Sequence, residues 1–292
     1  MKTLPYFLVL VLTACSTQDE RVPHSVALQV PLRKHPTALA TDSASAAHFI
    51  LPERLTPQSL SAAEVPAAQR LRGALKEAWR WTDVKGDNLL VVYAIGPLAD
   101  TPQDGKGAGD AGYLEDENGN TIEVKAYQEW YVQLRARQYV KQQGTYTELW
   151  HLQDEIRHYP FNQVLALLPG STAITDLDHD GQTETTLIYT KMCRSDVSPD
   201  EMKLILHEGP AKFALRGYNV VQFDSVSARQ RQPAEPCCLD KLSKRQLEKA
   251  YQATAHGGRY FSEADFKAAP AFLPFARQHW QRFIVSAPVN GE

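Results

Sequence analysis

The middle of the chain is dominated by short runs of apolar residues. Between 130 and 136 apolar and polar residues alternate, a period of two that predicts a half-buried strand. The continuous apolar run at 89–95 indicates a buried strand, and 187–192 is predicted to be a further strand. Gly144 and the sequence Glu208-Gly209-Pro210 mark turns between neighbouring runs. We therefore predict further strands at 146–152, 164–168, 203–207 and 212–216.

Helical spacing replaces this pattern near both ends of the predicted domain. Apolar residues recur every three or four positions in 66–79 and again in 272–285, which predicts two amphipathic helices. A third helix is predicted over 242–255, where Ser243 and Gln246 have the spacing of a capping box. The fold class is therefore predicted to be α+β: a mainly antiparallel β-sheet core with an N-terminal helix and C-terminal helices.

Composition and charge exclude several classes of protein for this chain. Of the 292 residues, 43% are hydrophobic and 22% are charged, which is ordinary for globular domains and excludes collagen-like and fully disordered chains. The formal net charge of −3 lacks the basic excess of nucleic-acid-binding proteins, so we predict no nucleic-acid partner.

The first residues have the features of an export signal. Lys2 precedes a short apolar run, Leu4–Leu12, which is about half the roughly 20 residues that a membrane-spanning helix needs. We therefore predict a signal peptide at 1–14. The alternative interpretation is an ordinary secretory signal in which Cys15 is incidental.

The sequence Leu12-Thr13-Ala14-Cys15 resembles the lipobox of bacterial lipoproteins. The resemblance implies that Cys15 is lipidated and that the protein is held at a membrane by its acyl chains. By the sorting preferences of such proteins, Ser16 implies the outer membrane, with the protein facing the periplasm or the cell surface. Residues 15–48, rich in Ala, Ser, Thr and Pro, are predicted to form a flexible tether to a single globular domain at 49–292.

A short acidic segment is the part of the sequence that points most specifically to one kind of chemistry, metal binding. Residues 176–184 read DLDHDGQTE, in which carboxylates alternate around a turn that Gly181 permits. Calcium binds six to eight oxygen ligands, and such spacing lets several carboxylates converge on one ion. The predicted ligands are Asp176, Asp178, Asp180, the backbone carbonyl of Gln182, and Glu184.

This segment is not a complete EF-hand, because Leu187 stands where that motif has a bidentate Glu. It resembles instead the Asp-x-Asp-x-Asp-Gly loops that bind calcium between strands in extracellular proteins. We predict a structural calcium ion of modest affinity, and we assign no metal role to His179. The competing interpretation is a solvated acidic turn that binds nothing.

Residues 174–216 extend the resemblance beyond the acidic loop. The segments Cys193–Pro199, Met202–Leu204 and Ala214–Gly217 are similar to a poorly characterised family of bacterial surface lipoproteins, loosely labelled surface polysaccharide biosynthesis proteins. The resemblance implies a lipoprotein of the cell surface and names no reaction.

Three cysteines remain if Cys15 is lipidated. An oxidising compartment favours a disulfide, and we predict that Cys193 pairs with Cys237, with Cys238 as an equally possible partner by sequence. A bond between the adjacent Cys237 and Cys238 is the remaining alternative.

Two functional hypotheses arise from these features. The first is a non-enzymatic envelope lipoprotein with a calcium-stabilised domain, which binds a glycan or an envelope protein. The alternative is an envelope enzyme acting on surface polysaccharide. The sequence contains no Gly-x-Ser-x-Gly, His-Glu-x-x-His or P-loop motif, so an enzyme is the less favoured hypothesis.

Overall fold

Antiparallel strands dominate the fold, which confirms the main part of the predicted α+β class. The computed structural model describes residues 55–99, 112–115, 121–124, 130–159, 163–193, 198–221, 232–253 and 255–285. All of these residues belong to one unit, Leu51–Glu292. The predicted signal peptide, Cys15 and the predicted tether lie outside the described residues.

The first sheet has the strand order β1-β2-β3-β6-β7. Each neighbouring pair is antiparallel. A separate small hairpin is formed by β4 and β5. The strands are β1 (Gln58–Ser59), β2 (Ala74–Asp83), β3 (Gly86–Ala99), β4 (Gly112–Glu115), β5 (Thr121–Val124), β6 (Trp130–Gln142) and β7 (Thr145–Tyr159).

The second sheet has the order β12-β11-β10-β8, and β9 also pairs with β10. All of these pairings are antiparallel. The predicted turn at Glu208-Gly209-Pro210 joins β11 to β12, as the sequence indicated. The strands are β8 (Gln163–Leu167), β9 (Ala173–Thr175), β10 (Glu184–Cys193), β11 (Glu201–Glu208) and β12 (Ala211–Tyr218).

Helical segments follow the second sheet. The α-helices are α1 (Lys244–Gln252) and α2 (Leu273–Phe283), which confirms the two C-terminal helices. Ser243 and Gln246 form the predicted capping box, in which each side chain is bonded to the backbone of the other residue. Short 3₁₀ helices occupy Ala67–Gln69, Leu239–Lys241, Ala264–Ala268 and Pro270–Phe272. Among the described residues, no helix is long and apolar enough to cross a membrane.

The helix predicted for 66–79 is wrong: its first part contains only the short 3₁₀ helix Ala67–Gln69, and its last six residues belong to strand β2. Gly73, at φ +114°, lies so close to β3 that an added Cβ would come within 2.3 Å of the Ala94 carbonyl oxygen. A β-bulge between Leu75 and Glu77 then shifts the register. As a result Leu75 and Ala78, three residues apart, both contact the same apolar cluster. The bulge thus imitates helical spacing within a strand.

Strand β10 is covered on both faces. Its first eight residues are all buried. One face meets the first sheet, where the Thr185 hydroxyl donates to Gln138 Oε1 of β6 at 2.9 Å. The other face carries Ile188 into a core with Trp280 of α2. The β-branched composition of β10 suits a strand buried on both sides.

The open edge of β12 is covered by the segment before α2. Tyr218 N–H donates to the Arg259 carbonyl at 2.9 Å, and Phe261 N–H donates to the Arg216 carbonyl at 2.8 Å. Gly217 permits this approach, since an added Cβ would lie 2.0 Å from the Arg259 carbonyl oxygen. The segment therefore pairs with a strand edge that would otherwise expose its backbone donors and acceptors.

The predicted bond between Cys193 and Cys237 is not the one that the structure contains. Cys237 is joined to its neighbour Cys238. The backbone around them is fixed by hydrogen bonds from Tyr260 N–H to the Pro236 carbonyl and from Leu239 N–H to the Tyr260 carbonyl. Cys238 is buried in the core of the second sheet and α2, and Cys237 packs against that core.

A buried ion cluster joins the two sheets. Asp154 of β7 accepts hydrogen bonds from Lys191 of β10 at 3.1 Å and from Lys203 of β11 at 2.5 Å. The Tyr189 hydroxyl donates to the same carboxylate at 3.0 Å. The exposed fractions of the Asp154, Lys191 and Lys203 side chains are 14%, 5% and 19%. Burial alone would raise the pKa of Asp154, but the two ammonium groups hold it below its ordinary value.

We predict that Asp154→Asn lowers the free energy of unfolding by about 3–5 kcal/mol, because it leaves two buried ammonium groups without a counter-charge. Urea denaturation of the full chain measures this change. Asp265→Asn is the matched control, since Asp265 forms an exposed ion pair with Arg216, and a change within about 1 kcal/mol is expected there.

Because the folded pKa of Asp154 is depressed, its stabilising effect is present above the ordinary value of 3.8 and is lost as pH falls below it. Denaturation at a series of acidic pH values should therefore show that the free energy of unfolding falls less steeply with decreasing pH for Asp154→Asn than for the native chain. Equal acid slopes would contradict this assignment.

Candidate functional site

The acidic loop, residues 176–183, connects β9 to β10 and touches the first sheet. Val84, in the turn between β2 and β3, donates its N–H to the Gly181 carbonyl at 3.1 Å. Asp83, at the end of β2, accepts hydrogen bonds from Thr183 N–H at 3.1 Å and from its hydroxyl at 2.7 Å. The loop therefore lies where the two sheets meet.

The aspartates of the loop fold it through their own side chains. Asp176 Oδ1 accepts from Gly181 N–H at 3.4 Å, and Asp178 Oδ1 accepts from Asp180 N–H at 3.3 Å. Asp180 Oδ1 accepts from Gln182 N–H at 2.7 Å. The alternating carboxylates thus hold a succession of tight turns.

Gly181 is required by the path of this loop. It has φ +86°, and an added Cβ would lie 2.6 Å from Val84 Cγ1. His179, at φ 62°, also has a left-handed backbone conformation and is exposed. The turn that the sequence predicts at Gly181 is therefore confirmed, with the backbone conformation that favours glycine.

The loop brings its carboxylates together. One oxygen from each of Asp176, Asp178 and Glu184 lies within 4.8 Å of the other two. A second group with the same limit consists of Asp178, Asp180 and Glu208. All four predicted carboxylate ligands are therefore in these two groups, which share Asp178. An arrangement of hard oxygen donors at this separation suits a cation such as calcium.

Glu184 forms the buried base of the loop. It is fully buried, and its Oε2 accepts hydrogen bonds from the Thr175 hydroxyl at 2.8 Å and from Leu177 N–H at 2.9 Å. Its Oε1 is also buried and has no hydrogen-bond partner among the described residues. Burial raises the pKa of Glu184 to about 7, against the two hydrogen bonds, and the charge of Asp178 adds to the rise. A carboxylate oxygen without a partner is costly in such a place.

Glu208 belongs to the site and was missed in the sequence. It lies directly opposite Glu184 in the pairing of β11 with β10. Burial raises its pKa to about 7, helped by the charges of Asp178, Asp180 and Asp176, and Lys85 opposes the rise. Within the described part of the chain its Oε1 also has no hydrogen-bond partner. Burial thus disfavours the charged form of both glutamates on this side of the ladder.

Gln182, the remaining predicted ligand, follows the acidic turns. Its N–H is bonded to Asp180, and its side-chain amide lies against Gly209 of the β11–β12 turn. It therefore links the loop to the turn that carries Glu208. The prediction that its carbonyl binds the ion stays a prediction.

A buried hydrogen-bond chain connects the loop to the first sheet. Trp81 Nε1 of β2 donates to the Thr183 hydroxyl at 2.7 Å, and that hydroxyl donates to Asp83 Oδ2. Trp81 and Thr183 are each 3% exposed. The Thr183 hydroxyl is thus both an acceptor and a donor in a buried hydrogen-bonded contact between the two sheets.

A cavity of about 260 Å³ lies beside the acidic loop. Its lining includes Gln182 and Thr183 from the loop, Gly209 and Pro210 from the β11–β12 turn, and Gln138 from the first sheet. The cavity is therefore bounded by the same segments that carry the carboxylates.

No protein-family model, no curated protein and no solved structure matches the chain. The resemblance to surface lipoproteins therefore stays a prediction from the residues that carry it.

We predict that Thr183→Val lowers the free energy of unfolding by about 1–3 kcal/mol, because it leaves the Trp81 N–H without its buried acceptor and removes one of the two hydrogen bonds that Asp83 Oδ2 accepts from Thr183. Urea denaturation tests this. Thr82→Val is the control, since it removes an exposed hydroxyl that bonds Asp87, and it should change stability by less than about 0.5 kcal/mol. Equal effects of the two variants would show that the buried hydrogen bonds of the Thr183 hydroxyl contribute no more to stability than an exposed one.

Proposed function

We propose that this protein is a lipid-anchored envelope lipoprotein whose domain binds calcium at the acidic loop and serves a binding or assembly role. The observation that carries the cation site is the Oε1 atom of Glu184. Among the described residues this buried atom has no hydrogen-bond partner, and it belongs to a carboxylate that meets Asp176 and Asp178. A cation bound among these carboxylates would supply a partner for this atom.

Charge balance supports the same site. Burial raises the pKa of Glu208, the charges of three aspartates add to the rise, and Lys85 opposes it. A divalent ion shared by the two carboxylate groups would replace this repulsion with attraction. Carboxylate donors favour calcium or magnesium over the softer transition metals. The irregular loop geometry fits calcium, since magnesium demands a near-ideal octahedron.

The position of the loop supports a stabilising role for the ion. Asp83 and Val84 of the first sheet are hydrogen-bonded to Thr183 and Gly181 of the loop. An ion that fixes the loop therefore also fixes the joint between the sheets. Binding to the folded state alone stabilises a protein in proportion to the logarithm of ion concentration.

A binding role is favoured over catalysis by the cavity beside the loop. Asp83 is the carboxylate in the lining that the structure describes. Both of its oxygens are used: Oδ2 by Thr183 and Oδ1 by the N–H of Lys85 at 2.8 Å. Hydrolysis of a glycosidic bond by the usual route needs two available carboxyl groups. The lining supports recognition rather than such chemistry.

The anchor rests on the sequence alone. The lipobox-like residues Leu12-Thr13-Ala14-Cys15 support lipidation at Cys15 and attachment to the outer membrane, without a spanning segment. An envelope location also supplies calcium at concentrations that a site of modest affinity needs. The partner in this proposal is a glycan or an envelope protein.

We predict that calcium raises the melting temperature of the full chain, purified in detergent, by roughly 3–6 °C at ten times its Kd. EDTA should reverse the rise. Asp178→Asn should abolish it, because Asp178 belongs to both carboxylate groups, whereas the amide oxygen still accepts the turn hydrogen bond. Differential scanning fluorimetry measures all three effects.

Asp240→Asn is the control for lost charge, because Asp240 is exposed and lies outside the loop. It should keep the full response to calcium. A melting temperature that does not change across millimolar calcium would exclude the cation site.

We predict that Cys15→Ser prevents incorporation of labelled fatty acid and releases the protein from the membrane fraction, because the thiol is the attachment point of the acyl chains. Metabolic labelling followed by fractionation measures both. Cys238→Ser is the control and should retain the label. A Cys15→Ser protein that is labelled and fractionates normally would exclude the proposed anchor.

A further inference from the structure

We propose that the cavity beside the acidic loop binds one neutral sugar residue, and that the cation in the loop fixes two of the cavity walls. This inference rests on the proposed calcium site for its second part and on the cavity itself for its first. The position, hydrogen-bonding groups, charge and apolar surface of the cavity each support it.

The floor of the cavity is held in place by buried hydrogen bonds. Gln138 Nε2 donates to Asn88 Oδ1 at 3.0 Å, and Asn88 Nδ2 donates to the Gly86 carbonyl at 3.0 Å. Gln138 Oε1 accepts from Trp150 Nε1 at 2.7 Å and from the Thr185 hydroxyl. The two amides are therefore oriented before any ligand arrives, which lowers the entropic cost of binding.

The rim of the cavity carries further amides. Gln142 of β6 and Gln182 of the loop both line it. Gln142 is exposed, and its amide makes a long bond of 3.4 Å to the Lys85 carbonyl. An amide offers both donors and an acceptor, as sugar hydroxyls also do. This pairing favours a polyhydroxylated ligand over one with donors or acceptors alone.

The charge around the cavity favours a neutral ligand. The Asp83 carboxylate in the lining is already bonded to Thr183 and to the Lys85 N–H. It is therefore less available to a ligand ammonium group. Lys85, which also lines the cavity, attracts an anion. The loop and the turn that supply two of the walls carry three carboxylates, those of Asp178, Asp180 and Glu208, which outnumber this cation and repel an anionic ligand. A neutral ligand avoids both conflicts.

Size and apolar surface point to a single ring. A volume of about 260 Å³ is below the usual range for drug-sized ligands. Val140, Leu149 and Pro210 add apolar surface to the lining, against which the C–H face of a pyranose packs. The ligand is then one sugar residue, either free or at the end of a chain.

The cation connects to the cavity through two walls. Gln182 and Thr183 directly follow the acidic turns, and Gly209 directly follows Glu208. Asp178, Asp180 and Glu208 form one of the two carboxylate groups. An ion held by this group ties the loop wall to the turn wall. Removal of the ion frees the two walls to separate, which weakens sugar binding.

Saturation-transfer difference NMR on the full chain in detergent tests the proposal. The probes are the neutral methyl glycosides of glucose, galactose, mannose and N-acetylglucosamine, and anionic methyl glucuronide. With calcium present, at least one neutral glycoside should bind at millimolar concentration, and the glucuronide should bind more weakly. Gln142→Ala should weaken binding roughly fivefold through the loss of one amide.

Gln153→Ala is the matched control, because Gln153 is an exposed amide of β7 outside the cavity lining. It should leave the affinity unchanged. The cavity proposal is overturned if no neutral glycoside binds, if the glucuronide binds as tightly, or if Gln142→Ala has native affinity.

Different results would contradict the sugar site and its coupling to the cation. Chelation of calcium should abolish or strongly weaken glycoside binding. If calcium binds but its removal leaves glycoside affinity unchanged, the coupling through the walls is wrong. If calcium does not bind and Gln142-dependent glycoside binding persists, the proposed cation site and its coupling are wrong and the sugar site stands.

Discussion

Repulsion among carboxylates is the constraint on which the meeting point of the two sheets depends. Asp176, Asp178, Asp180, Glu184 and Glu208 occupy two groups that share one residue. Each aspartate of the loop already accepts a backbone N–H, so the turns hold these side chains against the loop backbone. The same turns that shape the loop therefore concentrate its negative charge. Lys85 opposes this charge near Glu208, and the proposed cation would offset it further.

The two sheets are linked by polar contacts at two separate places. Near the acidic loop, Trp81, Thr183 and Asp83 form a hydrogen-bonded chain. Elsewhere Asp154 of the first sheet holds Lys191 and Lys203 of the second. Polar contacts in a buried interface contribute little net energy but penalise misalignment heavily. These polar contacts therefore fix how one sheet is aligned on the other, while the apolar residues supply most of the stability.

The strands and C-terminal helices could be predicted because their patterns are local. Strand β10 and the capping box at Ser243 depend on neighbouring residues. The segment 66–79 could not be predicted in the same way, because a bulge at Leu75 and Glu77 changes the apolar period. In the site, the loop carboxylates and Gly181 are consecutive in sequence and were predictable together. Glu208 joins them only through the register of β11 on β10, which no local spacing encodes.

The double burial of β10 has a consequence for the order of assembly. Glu184 is the first residue of a strand whose one face requires the first sheet and whose other face requires α2. A chain is synthesised from its N-terminus, so the acidic loop is made before α2. The face of β10 that carries Ile188 therefore stays uncovered during synthesis until α2 has been made. The strand that follows the loop is thus enclosed only by the last helix of the domain.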